Sequence, residues 1–116
     1  MSKLTPIDVS NTKAQMRKGI LEFCILLIIS EDKAYSTDIL SELRAADLIV
    51  VEGTMYPILN RLKDAGLLDY DWSESKNGPP RKYYSITPEG KSFLKQLVVT
   101  WKALDGSINT LLTKFN

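Results

Sequence analysis

The polar side chains best suited to specific recognition in this 116-residue sequence lie along one short segment, residues 54–63. If the segment is a helix with its apolar side chains turned inward, five polar side chains are left on its outer and flanking faces: Thr54, Tyr56, Asn60, Arg61 and Lys63. Side chains of this kind suit DNA recognition, because base edges and phosphates lie at a distance from the helix surface. The alternative is an ordinary solvated face, in which Tyr56 packs against another element and Arg61 pairs with a neighbouring acid.

A second group of cationic side chains follows in residues 75–84, which contain Lys76, Arg81 and Lys82 and no acidic residue. The middle of this segment reads NGPP (77–80), a composition typical of a turn that adds nothing to a core. Basic side chains on such a tip are free to reach phosphates or a narrow minor groove, where arginine is preferred. The alternative is a solvated loop with ordinary surface charge.

The composition argues against other kinds of site. With one cysteine and no histidine, the chain has no disulfide framework, no Cys/His zinc site and no imidazole base. It also lacks a glycine-rich phosphate loop and a convincing carboxylate pair, so we expect no enzyme activity, no cofactor and no metal. The formal net charge is only +1, so a nucleic-acid site must come from local clustering of charge.

The longest apolar run, residues 23–29, is much shorter than the about 20 residues of a membrane-spanning helix. The N-terminal segment has no apolar core of the kind found in signal peptides, so we expect a cytoplasmic protein without membrane contact. Cys24 lies inside the apolar run, and we expect its thiol to act as a small buried hydrophobe.

Hydrophobic periodicity predicts three helices in the first half of the chain. The first covers residues 11–30, with an apolar stripe made of Met16, Ile20, Phe23, Cys24, Leu27 and Ile28. The second starts with Ser36 as its N-cap, so Ser36 and Thr37 lie at a helix N-terminus suited to a phosphate. The third begins at residues 53–54, carries Pro57 near its fourth residue and ends at Gly66. Residues 48–51 are interpreted as a connection that pairs briefly with a strand.

The period changes after the third helix. Residues 67–72 and 82–86 predict two strands of a hairpin with a long polar tip, residues 73–81. Residues 87–89, Thr-Pro-Glu, are typical of a helix start, and the last helix is predicted to run to about Lys114. Three helices followed by a two-stranded wing are the plan of a mainly α (α+β) winged helix-turn-helix. We therefore expect a DNA-binding domain over residues 1–86 and a C-terminal dimerisation helix over residues 87–116.

The last helix has the most regular apolar pattern in the chain. Its members alternate at spacings of three and four, the pattern of a coiled-coil seam: Leu94, Leu97, Trp101, Leu104, Ile108, Leu111 and Phe115. We interpret this predicted seam as a homodimer interface that places two recognition helices on an inverted-repeat site. The alternatives are packing on its own domain or on a different chain.

Trp101 lies in the middle of the predicted seam. Its indole ring is large for tight two-stranded packing, and Gly106 follows shortly after it. Two such rings would leave a gap that a flat aromatic effector could enter, so Trp101 is a candidate effector contact. The alternative is a buried interface tryptophan without a ligand.

The motifs resemble those of the PadR family of bacterial transcriptional regulators. The resemblance covers roughly residues 16–112 and rests on GTMYPILNRL (53–62), GLL (66–68), Trp72, RKYYSIT (81–87) and Gly90. It implies a homodimeric repressor that binds an inverted-repeat operator in double-stranded DNA and responds to small aromatic molecules. The main alternative function is a winged-helix module that binds another protein and no DNA.

Overall fold

The computed structural model describes residues 8–75 and 78–115 as four helices and a small antiparallel sheet. The helices are α1 (Val9–Glu31), α2 (Ser36–Ala45), α3 (Glu52–Asp64) and α4 (Pro88–Leu112). The strands are β1 (Ala34–Tyr35), β2 (Leu68–Ser75) and β3 (Gly78–Ile86), and β3 lies between the other two. The predicted fold class, a winged helix-turn-helix followed by a long helix, is confirmed.

One apolar core joins the first three helices, the sheet and the first turns of α4. The buried face predicted for α3 is confirmed, since its apolar residues recur at helical spacing and are all buried. The core consists of Leu21, Ile25, Leu26, Ile29, Ala34, Ile39, Leu43, Met55, Ile58, Leu59, Leu62, Leu68, Tyr84 and Leu94. This core holds the polar faces of α2, α3 and the β2–β3 hairpin, which we call the wing, in fixed relative positions.

In α1 the buried face differs from the predicted stripe. Leu21, Ile25 and Ile29 recur every four residues and face the core, whereas Met16 and Leu27 of the predicted stripe are exposed. Phe23, Cys24 and Ile28 of the stripe do pack against the core, so the prediction was wrong only in part. The reason is that the second half of α1 is apolar on nearly every side. Periodicity therefore does not select which side faces inward.

The predicted pairing of residues 48–51 with a strand is wrong. These residues, all within the described part of the chain, have no regular secondary structure and follow a turn at Ala46 and Asp47. Asp47 adopts a φ of 61°, and the Leu48 N–H donates to the carbonyl of Leu43 at 2.7 Å. This tight turn is followed by a short connection, and α3 begins at Glu52, slightly before the predicted start.

The short strand β1 consists of Ala34 and Tyr35, which pair with Tyr84 and Tyr83 of β3. Because Tyr35 is extended, it takes the N-cap position predicted for Ser36, which becomes the first residue of α2. This pairing fixes the start of α2 to the edge of the wing.

Pro57 lies in the second turn of α3, deeper than predicted. The ring removes one intrahelical hydrogen bond, which would have reached the carbonyl of Gly53. Gly53 is exposed, so its carbonyl is free to accept a hydrogen bond from solvent. The helix ends as predicted, where Gly66 adopts a φ of 79°.

The strands of the wing are longer than predicted, so the predicted tip is mainly paired strand. Ser73 lies opposite Arg81, and Ser75 lies opposite Gly78. Pro79 and Pro80 fall in the shift of register between these pairs, where a missing N–H costs no ladder hydrogen bond. The Gly-Pro-Pro residues 78–80 were therefore interpreted as part of a loop, whereas they belong to β3 next to a β-bulge. Lys76, a predicted DNA contact, lies outside the described residues.

The start of α4 is as predicted. The Thr87 hydroxyl accepts a hydrogen bond from the Gly90 N–H at 2.9 Å and donates to the Gly66 carbonyl at 2.7 Å. The second half of α4 projects from the domain: the radius of gyration is 17.6 Å, whereas a compact chain of this length has about 13 Å. α4 is therefore anchored at one end and free of its own domain at the other.

Cys24 is half-buried, and burial raises the pKa of its thiol. The reactive thiolate is thereby disfavoured, in agreement with a structural role. Throughout residues 8–75 and 78–115, no helix has both the length and the apolar character needed to cross a bilayer.

Candidate nucleic-acid interface

A cleft of about 380 Å³ opens between the start of α2, the second turn of α3 and the wing. Its lining residues come from five elements, β1, α2, α3, β2 and β3: Tyr35, Ser36, Thr37, Tyr56, Trp72, Pro80, Arg81, Lys82 and Tyr84. Five of these are predicted DNA contacts: Ser36, Thr37, Tyr56, Arg81 and Lys82. Residues that are far apart in the sequence thus meet at one surface.

A hydrogen bond joins the two helices of the helix-turn-helix inside this cleft. The Tyr56 hydroxyl donates to the Ser36 hydroxyl oxygen at 2.9 Å. Ser36 and the exposed Thr37 are the first two residues of α2, so their hydroxyls lie beside unpaired backbone N–H groups at the positive end of the helix dipole. Hydroxyls and free N–H groups together form a suitable receptor for a phosphate oxygen.

The polar face of α3 has three parts, because residues seven apart lie on nearly the same side of a helix. Tyr56 and Lys63 lie on the side that faces the wing. Thr54 and Arg61 lie on the side that faces α1. Asn60 lies between the two pairs, on the side opposite the buried residues, and is exposed. Asn60 is thus the most outward of the predicted DNA contacts on α3.

Two lysines contact aromatic rings between α3 and the wing. The Lys82 ammonium lies 4.4 Å from the centre of the Tyr70 ring and 5.4 Å from that of Trp72. The Lys63 ammonium lies 5.5 Å from the Tyr70 ring. Such cation–π contacts fix the direction of otherwise flexible side chains while leaving their charge in place.

Arg81 lies on the opposite face of β3 from Lys82, because side chains alternate along a strand. Its guanidinium is 5.2 Å from the Tyr35 ring, which stacks on Tyr83 with ring centres 3.9 Å apart. Interaction with the Tyr83 hydroxyl, and then with that of Ser73, lowers the pKa of Tyr35. The interaction with Tyr35 raises the pKa of Tyr83, and burial raises that of Tyr84. Of the two adjacent tyrosines, Tyr84 belongs to the core and Tyr83 to this half-buried stack.

Arg61 contacts α1 and not the cleft. Its guanidinium is 3.2 Å from the carboxylate of Glu22, and 61% of the Arg61 side chain remains exposed. This is the kind of acidic pairing that was the alternative to DNA contact for Arg61. An exposed ion pair is weak, so the guanidinium can leave Glu22 for a phosphate at small cost.

The structure divides the predicted seam of α4 into two parts. Leu94 is buried in the core of its own domain, where little of it is left for an interface, and Leu97 is partly buried against that core, so its place in an interface stays a prediction. From Trp101 onward the side chains project from the domain and are exposed: Trp101, Leu104, Ile108, Leu111 and Phe115. The Trp101 ring keeps one aromatic neighbour, Phe23 of α1, at 6.3 Å.

Sequence reasoning missed three aromatic residues of this surface: Tyr35, Tyr70 and Trp72. The signal for the last two was present, since Leu68, Tyr70 and Trp72 alternate along β2 and must share a face of the sheet. Tyr35 could not be found in this way, because its place depends on the unexpected pairing of β1.

A winged helix-turn-helix with hydroxyl and cationic side chains gathered between helix and wing defines the class of nucleic-acid-binding regulators. Residues 25–96 match the transcriptional regulator PadR-like family. The chain belongs to this family. Its predicted DNA-binding, non-enzymatic character is thereby confirmed, because the family consists of transcriptional regulators.

Solved structures agree with this assignment. A PadR-like transcription factor from Bacteroides fragilis is 53% identical, with 87% of this chain and 98% of that chain covered and a TM-score of 0.74. A PadR-family regulator from Eggerthella lenta is 31% identical, with 90% and 91% covered and a TM-score of 0.81. A PadR-like regulator from Bacillus cereus is 36% identical, with 84% and 96% covered and a TM-score of 0.76.

Proposed function

We propose that this protein is a homodimeric transcriptional repressor that binds an inverted-repeat operator through α3 and the wing. The observation that carries the proposal is the cleft, where Ser36 and Thr37 of α2 meet Tyr56 of α3 and the two cations of β3. Each group suits a different part of a duplex, and the core holds them in one arrangement before DNA arrives.

In the proposed complex, Asn60 enters the major groove, flanked by Thr54 and by Lys63. Asparagine is suited to adenine, because its amide can donate and accept hydrogen bonds with one base edge at the same time. Tyr56, Ser36 and Thr37 hold a backbone phosphate.

The proposed role of the wing is to contact the neighbouring minor groove. Arg81 and Lys82 lie on opposite faces of β3, so the wing presents positive charge to both sides of a groove. Lys76 belongs to the same segment of the sequence and is proposed to add to this charge. Arg61 is proposed to exchange Glu22 for a phosphate when DNA binds.

The proposed dimer forms through the exposed part of the predicted seam. A single chain leaves a row of large apolar side chains in water from Trp101 to Phe115, and pairing with a second copy would remove them from it. We propose that this part of residues 87–116 is the dimerisation segment. The first turns of α4 belong to the DNA-binding domain, because Leu94 is part of its core.

The proposed effector site lies where Trp101 meets Phe23. Trp101 is 40% exposed in the single chain, so one side of its ring is available to a second chain or to a flat ligand. A small aromatic molecule bound there would press on α1, which also carries Glu22, the partner of Arg61. This position connects the proposed dimer interface with the proposed DNA-binding surface.

Selection of bound duplexes from a random DNA pool tests binding, symmetry and half-site spacing together. We expect an inverted repeat to be recovered, and light scattering to give a dimer. In fluorescence anisotropy, Arg81→Ala with Lys82→Ala should weaken binding about tenfold or more and lower the salt slope by about 2. Lys91→Ala with Lys95→Ala is the matched control, because it removes the same charge from α4.

Two outcomes contradict the proposal. Absence of duplex binding at low salt, or equal affinity of the wing variant and its control, would remove the assigned DNA-binding surface. A stable monomer that binds another protein would favour the alternative function.

A further inference from the structure

Trp72 is a large aromatic residue that the fold leaves in water at the centre of the wing. It is 63% exposed, although it shares a face of β2 with the buried Leu68 and the half-buried Tyr70. The apolar stripe of the sheet therefore continues beyond the core. Because the exposed indole continues an apolar stripe and is not an isolated apolar residue, this extension of the stripe points to a binding surface.

The orientation of the indole is held by its neighbours. Tyr70 meets Trp72 edge to face, with ring centres 6.2 Å apart and an angle of 87° between the planes. Lys82 lies directly opposite Trp72 in the β2–β3 register, with its ammonium 5.4 Å from the ring. Contacts of both kinds favour one ring orientation. The exposed part of the ring is thus presented in a defined direction, toward the cleft that Trp72 lines.

The charge around Trp72 indicates the chemistry of its partner. Arg81 and Lys82 line the same cleft, together with the hydroxyls of Ser36, Thr37 and Tyr56. Among the described residues that line the cleft, none is acidic. The partner must therefore combine anionic groups with an apolar surface, as a sugar–phosphate backbone does.

We infer that Trp72 is a DNA-contacting residue, which packs its ring against a deoxyribose and donates its indole N–H to a phosphate oxygen. Trp is suited to this role, because it has an apolar ring and a single N–H donor. The contact carries no charge, so it adds affinity without adding counterion release. The inference rests on the proposed function and assigns to the wing an aromatic contact in addition to its cations.

Two variants with a single tryptophan test the contact directly, since the chain has only two tryptophans. Trp101→Phe leaves Trp72 as the only emitter, and Trp72→Phe leaves Trp101. Titration with a random-sequence DNA duplex should change the intensity or wavelength of emission in the first protein and not in the second. Equal changes in both would indicate a change of the whole molecule and would overturn the inference.

Affinity gives the second measurement. Trp72→Ala in the otherwise unchanged chain should weaken duplex binding about tenfold, which corresponds to about 1.4 kcal/mol. The salt slope should stay unchanged, whereas Arg81→Ala lowers it. Trp72→Phe should fall between Trp72→Ala and the unchanged chain, because it keeps a ring and loses the N–H. Unfolding by urea should be little altered, because the side chain is exposed.

Different results would contradict the proposed function and the inferred role of Trp72. If the unchanged chain shows no duplex affinity at low salt, the proposed function fails. If it binds duplex with the expected salt dependence while Trp72→Ala binds equally well, only the role of Trp72 is wrong. A change of oligomeric state in Trp72→Ala, measured by light scattering, would assign the ring to a protein contact and overturn the inference.

Discussion

The cleft and the exposed half of α4 both contain residues whose types and spacing are unusual in the sequence. They differ in whether these residues have contacts within a single chain. In the cleft, side chains from five elements lie together, and a hydrogen bond and cation–π pairs join some of them. Along α4 beyond Trp101, the apolar side chains lie in water. The surface proposed to fit a rigid duplex is already arranged within one chain. The surface proposed to fit a second copy is left exposed in one chain.

The largest expected effect comes from charged substitutions on the exposed apolar side chains of α4, the proposed dimer interface. Leu104→Glu with Ile108→Glu places two charges on the exposed part of the predicted seam, where burial against a second chain would be costly. We expect a monomer by light scattering. Affinity for an inverted repeat should fall about 100-fold or more, because the two half-sites would no longer be bound by one particle.

A charge on the other side of the same helix provides the control. Thr110 lies away from the exposed apolar row, and its hydroxyl donates to the Gly106 carbonyl at 3.0 Å. Thr110→Glu should therefore leave a dimer with nearly unchanged DNA affinity. If the double variant remained a dimer, or if both variants dissociated alike, the interface would have to lie elsewhere.

The next largest effect concerns Asn60, the most outward of the predicted DNA contacts on α3. Asn60→Ala should lower affinity about tenfold for the preferred sequence and much less for random duplex, since a good amide–adenine pair contributes about 1–3 kcal/mol of discrimination. Binding to operators with single base changes measures this, and preference should be lost mainly at one adenine of each half-site. Asn109→Ala, an exposed asparagine on α4, is the matched control. Loss of affinity by the same factor for every duplex would show that Asn60 holds the backbone and reads no base.

Much of this arrangement follows from the sequence. Where the sequence does not predict it, the reason can be identified. The α3 face was predicted because Met55, Ile58 and Leu62 recur with a clear helical period. The start of α4 was predicted because Thr87 and its neighbours carry strong local signals. Local signals fail where only tertiary contacts decide, as for the inward side of the apolar second half of α1.

The same distinction applies to the candidate site. The individual polar residues on α2, α3 and the wing could be selected by type and position. Their meeting in one cleft could not, because it depends on the pairing of Tyr35 with Tyr83, which no local pattern predicts. The pairing of Arg61 with Glu22 is also invisible in the sequence, since Glu22 lies on a different helix.

A smaller effect tests whether the cleft is prepared before DNA binds. Tyr56→Phe and Ser36→Ala each remove one partner of the hydrogen bond between α3 and α2. In a double-mutant cycle on the free protein, the coupling in the free energy of unfolding should be about 0.5–1 kcal/mol. Urea unfolding of the four proteins gives this value. Additive effects would mean that the hydroxyls do not stabilise the fold together, and that DNA orders the cleft.

The smallest effect concerns Arg61, the one predicted contact that the free chain directs away from the cleft and holds in an ion pair. Glu22→Gln removes the charge that competes with a phosphate for the guanidinium. Because the pair is exposed, the free energy of unfolding should change by about 0.5 kcal/mol or less. DNA affinity should rise less than about threefold, with a slightly steeper dependence on salt. Glu31→Gln removes the same charge from the end of α1, and an equal rise in that control would assign the effect to net charge. A fall in affinity on Glu22→Gln would mean that Glu22 holds Arg61 in its binding position, and the exchange of partners would be wrong.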